Sequence, residues 1–485
     1  MPPSQGKDRL NRVDPQPETS ETSAKTEPDA LIVALEGGLI PNALADELYW
    51  AARAGRIAAL TETRDLPEVD GEVGLLDPAS LPLNARVMAL LKDAREDGKT
   101  TLLSSRAYPD LAARVAEHAG VFDGVLTDDS DTPLAEQAKG DFGVTSYLYL
   151  GPRAGDGLWQ GAAHVITANA PAGQRGVANA HPGGATHIGA AGDTGREMLR
   201  AMRPHQWLKN LLIFLPVLAA HQLDVATLTI AVLAFLSFCL VASSVYLLND
   251  LLDLAADRAH PRKRLRPFAS GNLPLRYGRN LLLALLVGGL ALGIFAGPAF
   301  VLVLLIYYAA TLAYSFALKK RAVLDICVLA GLYTLRIVAG GVATGIELSV
   351  WLLAFSVFLF LSLAAMKRQA ELVDNMSNGK AVADGRGYRV EDLPLVSQMA
   401  MSSGYVSVLV MALYLSSPEV QLLYSLPAAL WGICLVLLYW ISRAVFKTHR
   451  GEMNDDPIVF ALKDGVSRLS LLAVIGFGLI ATYSG

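Results

Sequence analysis

A dominant charge sign is missing from this chain: 41 Lys and Arg stand against 45 Asp and Glu, a formal net of −4. No basic stripe interleaved with aromatics occurs, so nucleic acid is excluded as an expected partner. Cysteine is nearly absent. Cys239, Cys327 and Cys434 all fall inside apolar runs without paired spacing. That excludes a disulfide frame and a cysteine metal site and leaves three small core hydrophobes. Residues 1–30 have no long apolar run and are rich in Pro, Glu, Ser and Thr. They read as a disordered tail and not as a signal peptide.

What the chain has in quantity is apolar sequence, unevenly placed. Hydrophobic residues make up 53% of 485, a length that suits two or three domains. Residues 1–200 read as a polar, soluble half, whereas 201–485 is a succession of apolar runs with short charged breaks. About nine runs approach the length a bilayer requires: 207–221, 225–249, 278–296, 298–318, 322–344, 349–366, 397–416, 421–442 and 465–484. The breaks at 251–277, 319–321, 367–396 and 443–464 hold six, three, five and four Lys/Arg, and the alternate breaks hold none. The positive-inside rule makes the charged breaks cytoplasmic, together with the amino terminus, and leaves the carboxyl terminus outside.

Directly after the second run comes Asn249-Asp250-Leu251-Leu252-Asp253-Leu254-Ala255-Ala256-Asp257. Read helically, Asn249, Asp253 and Asp257 stack at i, i+4 and i+8, with Asp250 beside Asp253. Hard oxygen ligands in that register suit Mg²⁺, which combines a few carboxylates with the phosphates of its substrate. The basic run Arg262-Lys263-Arg264-Leu265-Arg266 that follows suits phosphate oxygens. The bland reading is an acidic helix end followed by a positive-inside loop. Ionisable clusters at a membrane boundary are costly to place there, which favours function. Tyr314 and Lys319 close the fourth run, and Lys367, Arg368 and Glu371 close the sixth. A bundle joining these ends would form one cytoplasm-facing cavity with metal on one wall and cations on the other. Lys367 and Arg368 read either as phosphate anchors or as side chains reaching from a helix end to water. Tyr314 reads equally as an interfacial belt residue, and His260 as a turn residue before Pro261. Arg336, inside the fifth run, must be paired or face water.

Residues 200–485 resemble the UbiA superfamily of membrane transferases, whose first signature is Asn-Asp-x-x-Asp-x-x-x-Asp. The likeness is nearest to the decaprenyl-phosphate phosphoribosyltransferase branch. It rests on Arg203-Pro204-x-Gln206-Trp207-x-Lys209-Asn210, the block 249–267, Tyr314-Ser315-x-x-Leu318-Lys319, Asp325-Ile326-Cys327, Leu335-Arg336-x-x-Ala339-Gly340-Gly341 and Lys367-Arg368-x-Ala370-Glu371-Leu372. Prenyltransferases of the superfamily carry a second Asp-rich motif where this chain has Lys367, Arg368 and Glu371. The resemblance implies Mg²⁺ on Asn249, Asp250, Asp253 and Asp257, with Asp253, Asp257, Lys263, Arg264, Tyr314 and Lys319 in catalysis. It implies substrate binding by Lys209, Asn210, Arg262, Arg266, Arg336, Lys367, Arg368 and Glu371. The reaction expected is transfer of a phosphoribosyl group from phosphoribosyl diphosphate to a polyprenyl (decaprenyl) phosphate. The alternative is transfer of a polyprenyl group from its diphosphate to an aromatic or other acceptor. A transporter for an anionic solute is disfavoured: no run carries paired Gly/Pro interruptions, and the charge lies at one face. A membrane-tethered regulator is disfavoured by the intact acidic block.

In the polar half, 31–40, 100–105, 125–127 and 147–151 form short apolar strands between helical stretches, an α/β pattern. Over about 31–170 the order resembles a haloacid dehalogenase-like domain. Ala34 and Glu36 stand where that family has its nucleophile and acid/base aspartates, and a methyl group cannot attack phosphorus. Ser104 and Lys139 stand at its phosphate-binding positions; Pro152 and Gly155 replace its later acidic residues. The domain is expected to be inactive, and 171–199 to be a flexible linker holding solvated His181 and His187. The whole is expected to be a multi-span α-helical protein of the cell (inner) membrane, with about nine transmembrane helices in a UbiA-like bundle and a cytoplasmic N-terminal α/β domain. Nothing in the sequence sets its oligomeric state.

Overall fold

The computed structural model describes residues 27–62, 76–128, 132–152, 157–189, 194–379, 386–453 and 456–483. The tail expected over 1–30 lies outside them as far as residue 26, and so does Gly155.

The polar half is built on six parallel strands, β1 (Ala30–Ala34), β2 (Thr100–Ser105), β3 (Gly124–Thr127), β4 (Tyr147–Leu150), β5 (His164–Ala168) and β6 (Ala185–Ile188), ordered β3-β2-β1-β4-β5-β6. β1 is buried along its whole length, as a central parallel strand with both faces covered must be. The covering helices are α1 (Leu44–Glu62), α2 (Ala85–Glu96), α3 (Pro109–Ala119), α4 (Leu134–Phe142), the single turn α5 (Leu158–Gly161) and α6 (Ala172–Asn179). Residues 171–199 are therefore no linker. They supply α6, β6 in register with β5 and, after it, α7 (Thr194–Ala201). His181 is buried and bonds the Trp159 carbonyl at 2.8 Å, and His187 bonds the Thr167 hydroxyl at 2.7 Å.

Among the described residues, eight helices are long and apolar enough to cross a membrane. They are α9 (Val225–Leu252), α11 (Arg276–Ile294), α12 (Pro298–Phe316), α13 (Leu324–Thr344), α14 (Val350–Ser377), α15 (Leu393–Leu415), α17 (Trp431–His449) and α19 (Gly465–Tyr483). Shorter pieces intervene: α8 (Leu215–Ala219), α10 (Leu254–Ala259), α16 (Pro418–Leu423) and α18 (Pro457–Lys463). α9 starts on Asp224, whose carboxylate accepts the Thr227 amide, and α14 starts on Ser349. α11 packs on α9 through glycine. A Cβ at Gly289 would stand 2.7 Å from Val241 and 3.0 Å from the Ser237 carbonyl, so only hydrogen permits this approach.

The expected first span at 207–221 is not an α-helix. Residues Pro204–Phe214 form a 3₁₀-helix that runs on into α8. It lies antiparallel to α9: Trp207 bonds Ser243, Asn210 bonds Cys239, and Arg203 pairs with Asp250. At its far end His221 meets the Tyr424 ring. A 3₁₀-helix rises roughly 2.0 Å per residue, so this short stretch covers close to the hydrocarbon thickness. Its Asn210 and Ile213 are buried against the bundle, while Leu208 and Leu211 are exposed on its other face.

The two halves share a built contact. Trp50 of α1 is buried with Leu247, Leu251, Leu254, Phe268 and Leu273 of the membrane half.

The close passage of the 3₁₀ segment over α13 is testable. A Cβ at Gly340 would fall 2.1 Å from the Ile213 carbonyl oxygen, a backbone atom that cannot swing away. Gly340→Ala is expected to destabilise the detergent-solubilised protein by about 1–3 kcal/mol, read as a lowered Tm. An unchanged Tm would show that the segment is free to shift.

Candidate active site

Three side-chain groups lie where the charged breaks meet the membrane helices. The first is the acidic one. α9 stops at Leu252, Asp253 caps it, and α10 restarts at Leu254, so the continuous helix expected through 249–257 is broken. The i→i+4 backbone bonds nonetheless run from Asp253 to Asn249 and from Asp257 to Asp253, which keeps the register. Asp250 and Asp257 are buried, Asn249 is half-buried with its amide donating to Ser315, and Asp253 is exposed. Arg266 Nη1 sits between the two buried carboxylates, 3.0 Å from Asp250 and 2.5 Å from Asp257. Arg203, held at a positive φ of 55° immediately before Pro204, adds its guanidinium to Asp250. Lys263 is 4.0 Å from Asp257, while Arg262 and Arg264 point to solvent on the same turn.

No group of three or more His, Cys, Asp or Glu side chains among the described residues converges as a ready metal cage. The donors still fit Mg²⁺. They are hard oxygens, and one cationic nitrogen already bridges Asp250 and Asp257. A magnesium site typically takes one or two carboxylates and completes itself with substrate phosphates.

The second group is cationic and has a member absent from the expectations. Lys209, from the 3₁₀ segment, and Lys367, from α14, both donate to the same oxygen of Asp456, at 2.8 and 3.0 Å. Asp456 caps α18 with its other oxygen. Burial pushes its pKa up, but the two ammonium groups outweigh burial and hold it well below the usual carboxylate range. The bridge is therefore present at neutral pH and is lost only as pH falls through that depressed pKa. Behind Lys209, Asn210 is buried and accepts the Arg336 Nε–H at 2.8 Å. Arg336 also donates to the Leu332 carbonyl and the Tyr307 hydroxyl, and it faces the rings of Phe238, Tyr307 and Tyr333 at 5.0–5.5 Å. No carboxylate pairs with it among the described residues.

The third group is an ion network. Arg368 is buried and pairs with both Asp325 and Glu371. The Tyr314 hydroxyl donates to Asp325 at 2.7 Å and accepts from Arg386 at 2.9 Å. The sequence reading placed Lys367 and Arg368 side by side as phosphate anchors. The structure separates them, because neighbours on a helix diverge by roughly 100°. Arg368 is enclosed by carboxylates, and only Lys367 joins the cationic group. Lys319 lies between the groups: burial lowers its pKa, and nearby Asp253 partly restores it.

Asp456 and Arg386 were missed. Asp456-Pro457 is a helix-start signal, but nothing local marks a partner 247 residues away. Arg203 and Asp325 belong to the motifs that carry the resemblance, and the structure gives both an ion-pair partner.

Comparison with known proteins gives the family of the chain. The model of the UbiA prenyltransferase family matches residues 210–463. An uncharacterised protein, y4nM, of Sinorhizobium fredii is 35% identical over 83% of this chain and 80% of its own length. The nodulation protein NoeC of Azorhizobium caulinodans is 39% identical over 58% of this chain and 91% of its own. The decaprenyl-phosphate phosphoribosyltransferase of Mycolicibacterium smegmatis is 35% identical over 58% of this chain and 90% of its own. With its apolar helices carrying charged groups at their ends, this chain belongs to the UbiA prenyltransferase family and is an integral-membrane transferase.

Proposed function

We propose that the protein transfers a phosphoribosyl group from phosphoribosyl diphosphate to a polyprenyl phosphate at the cytoplasmic face of the cell (inner) membrane, releasing pyrophosphate. The observation that carries this reading is the convergence of Lys209 and Lys367 on one carboxylate oxygen of Asp456. Two half-buried ammonium groups sharing one anionic oxygen form a seat for a phosphate group. Arg336 adds a further uncompensated cation behind that seat. A donor with a 5-phosphate as well as a diphosphate, and an acceptor that is itself a phosphate, match such a surplus better than a prenyl diphosphate alone. The likeness to a named phosphoribosyltransferase over 90% of its length points the same way.

Asn249, Asp250, Asp253 and Asp257 would hold Mg²⁺, which when bound would neutralise the charge of the departing diphosphate. Arg266 and Lys263 set fixed positive charge beside the carboxylates, and Arg262 and Arg264 extend it outward along the same turn. Lys319, partly desolvated near Asp253, is placed to donate to a diphosphate oxygen. The C1–O bond to pyrophosphate breaks as an oxygen of the acceptor phosphate bonds C1, with no covalent enzyme intermediate. Lys367 and Lys209 orient a phosphate from the opposite wall. Tyr314, Asp325, Arg368, Glu371 and Arg386 join the ends of α12, α13 and α14 and thereby fix where Lys367 stands. The α/β half is read as a haloacid dehalogenase-like domain without its nucleophile.

The direct test supplies the purified protein with Mg²⁺, polyprenyl phosphate and either phosphoribosyl diphosphate or a prenyl diphosphate, and follows pyrophosphate release. Release is expected with the first donor. Release with the prenyl donor alone would reassign the protein to prenyl transfer.

Asp257→Asn is expected to lower kcat at least about a hundredfold, with activity lost in EDTA and restored by Mg²⁺. Turnover that persists in EDTA would end the metal reading. Lys367→Ala should raise the KM for the phosphorylated substrate, a loss of about 1.5–3 kcal/mol per charged hydrogen bond, without altering Mg²⁺ dependence. Arg368→Ala should act differently: it removes the buried cation beside Asp325, leaving that carboxylate to Tyr314 and Arg386, and costs about 3–5 kcal/mol of stability, seen in the Tm. Equal kinetic effects at the two positions would contradict their separation. The whole protein should not hydrolyse a phosphomonoester, because Ala34 offers no nucleophile; steady phosphate release above a protein-free blank would refute the inactive domain.

A further inference from the structure

The α/β half touches the acidic segment through a contact more specific than apolar packing. Arg258 follows Asp257 directly on α10, and its guanidinium grips Glu47 of α1 with two bonds, Nη2 to Oε1 at 2.7 Å and Nη1 to Oε2 at 3.0 Å. Both side chains are buried, Glu47 at 2% exposure and Arg258 at 9%. Two further Arg258 donors are used: Nη1 also reaches the Ser80 carbonyl of the α/β half, and Nε the Ala269 carbonyl of the membrane half. Asn42 completes the joint, donating to Glu47 and accepting the Leu275 amide. Gly271 passes so close that a Cβ there would lie 2.8 Å from Pro41. The segment from α10 to Leu275 is thus pinned from outside the bundle, and it carries both Asp257 and Arg266.

The likeness to haloacid dehalogenases gives a second, independent observation. Glu36, at the position of the acid/base residue, accepts the Leu44 amide at 2.6 Å. Its carboxylate caps the first turn of α1, the helix that presents Glu47. A carboxylate at this position therefore has work that does not depend on phosphatase chemistry.

We infer that the α/β half is a positioning device for the transferase site: Glu47, through Arg258, holds α10 so that Asp257 and Arg266 face Asp250. Glu47 is a positioning residue and touches no reacting atom. The inference rests on the reading of Asp257 as part of the site, so its test includes a measurement that needs no substrate.

In the full-length protein in nanodiscs, Glu47→Gln removes the charge while keeping the size. Backbone hydrogen exchange over 254–275 is expected to rise at least about tenfold, while exchange in α13 and α14 stays at the parent rate. Turnover should fall about tenfold or more with the KM for the lipid acceptor within twofold. Glu47→Asp should recover part of both effects. If Glu47→Gln does not accumulate folded, Asn42→Ala, which breaks the link between Glu47 and the Leu275 amide, should show the same pattern more weakly. Unchanged exchange over 254–275 would overturn the inference, and so would a lowered Tm with parent-like turnover. Should the parent fail to use either donor, the exchange result still decides the positioning role, while the proposed reaction falls by itself.

Discussion

A single guanidinium nitrogen, that of Arg266, keeps two buried carboxylates from repelling each other. Asp250 and Asp257 come from different helices and would each be costly to bury alone at a membrane boundary. With Arg266 between them, and Arg203 on the same Oδ1 of Asp250, the two arginines match the two carboxylates in charge and the helix break at Asp253 can be held. Much of the neighbouring structure serves to place these four side chains. The 3₁₀ segment starts at Arg203, α10 is fixed by Arg258, and the loop after it returns Arg266 to the site. A protein–protein ion pair of this kind also predisposes the site to exchange. Were Mg²⁺ and a polyphosphate to bind as proposed, the carboxylates would hold the cation and the arginines the phosphate, so neither side would be left uncompensated.

The cationic wall obeys the opposite logic. Lys209 and Lys367 are partly neutralised by Asp456, yet Arg336 is satisfied only by neutral acceptors and aromatic faces. Such a guanidinium keeps its positive field, because amide, hydroxyl and ring quadrupole stabilise the charge without cancelling it. The two walls therefore differ in kind: one holds matched charges, the other carries a surplus that an anionic substrate would complete.

The long apolar helices were legible because apolar runs and charged breaks alternate over stretches longer than the uncertainty of either. The acidic block and the basic run were legible because their spacing is local. The pitch of the first apolar run was not, since hydropathy records apolarity and not helical pitch: Pro204–Phe214 adopts 3₁₀ geometry against α9 before α8 begins. β6 escaped because Ala185-Thr186-His187-Ile188 is an edge strand paired only with β5, and an edge strand needs no continuous apolar run. Asp456 and Glu47 escaped for a different reason. Their partners lie up to 247 and 211 residues away, and an ion pair leaves no local pattern at that separation.

The adjacent pair Lys367 and Arg368 shows how far a motif can be read without its fold. Both residues are cationic, both end an apolar run, and sequence alone gives them one role. On α14 they point to different neighbours, and the neighbours decide. Arg368 is fully buried beside Asp325 and is best matched by a planar, multiply donating cation. Lys367 reaches the more open Asp456, where a compact ammonium on a flexible stem suits the phosphate seat proposed above. An exchange of the two residue types would therefore be unfavourable at both positions, for reasons of geometry at one and of mobility at the other.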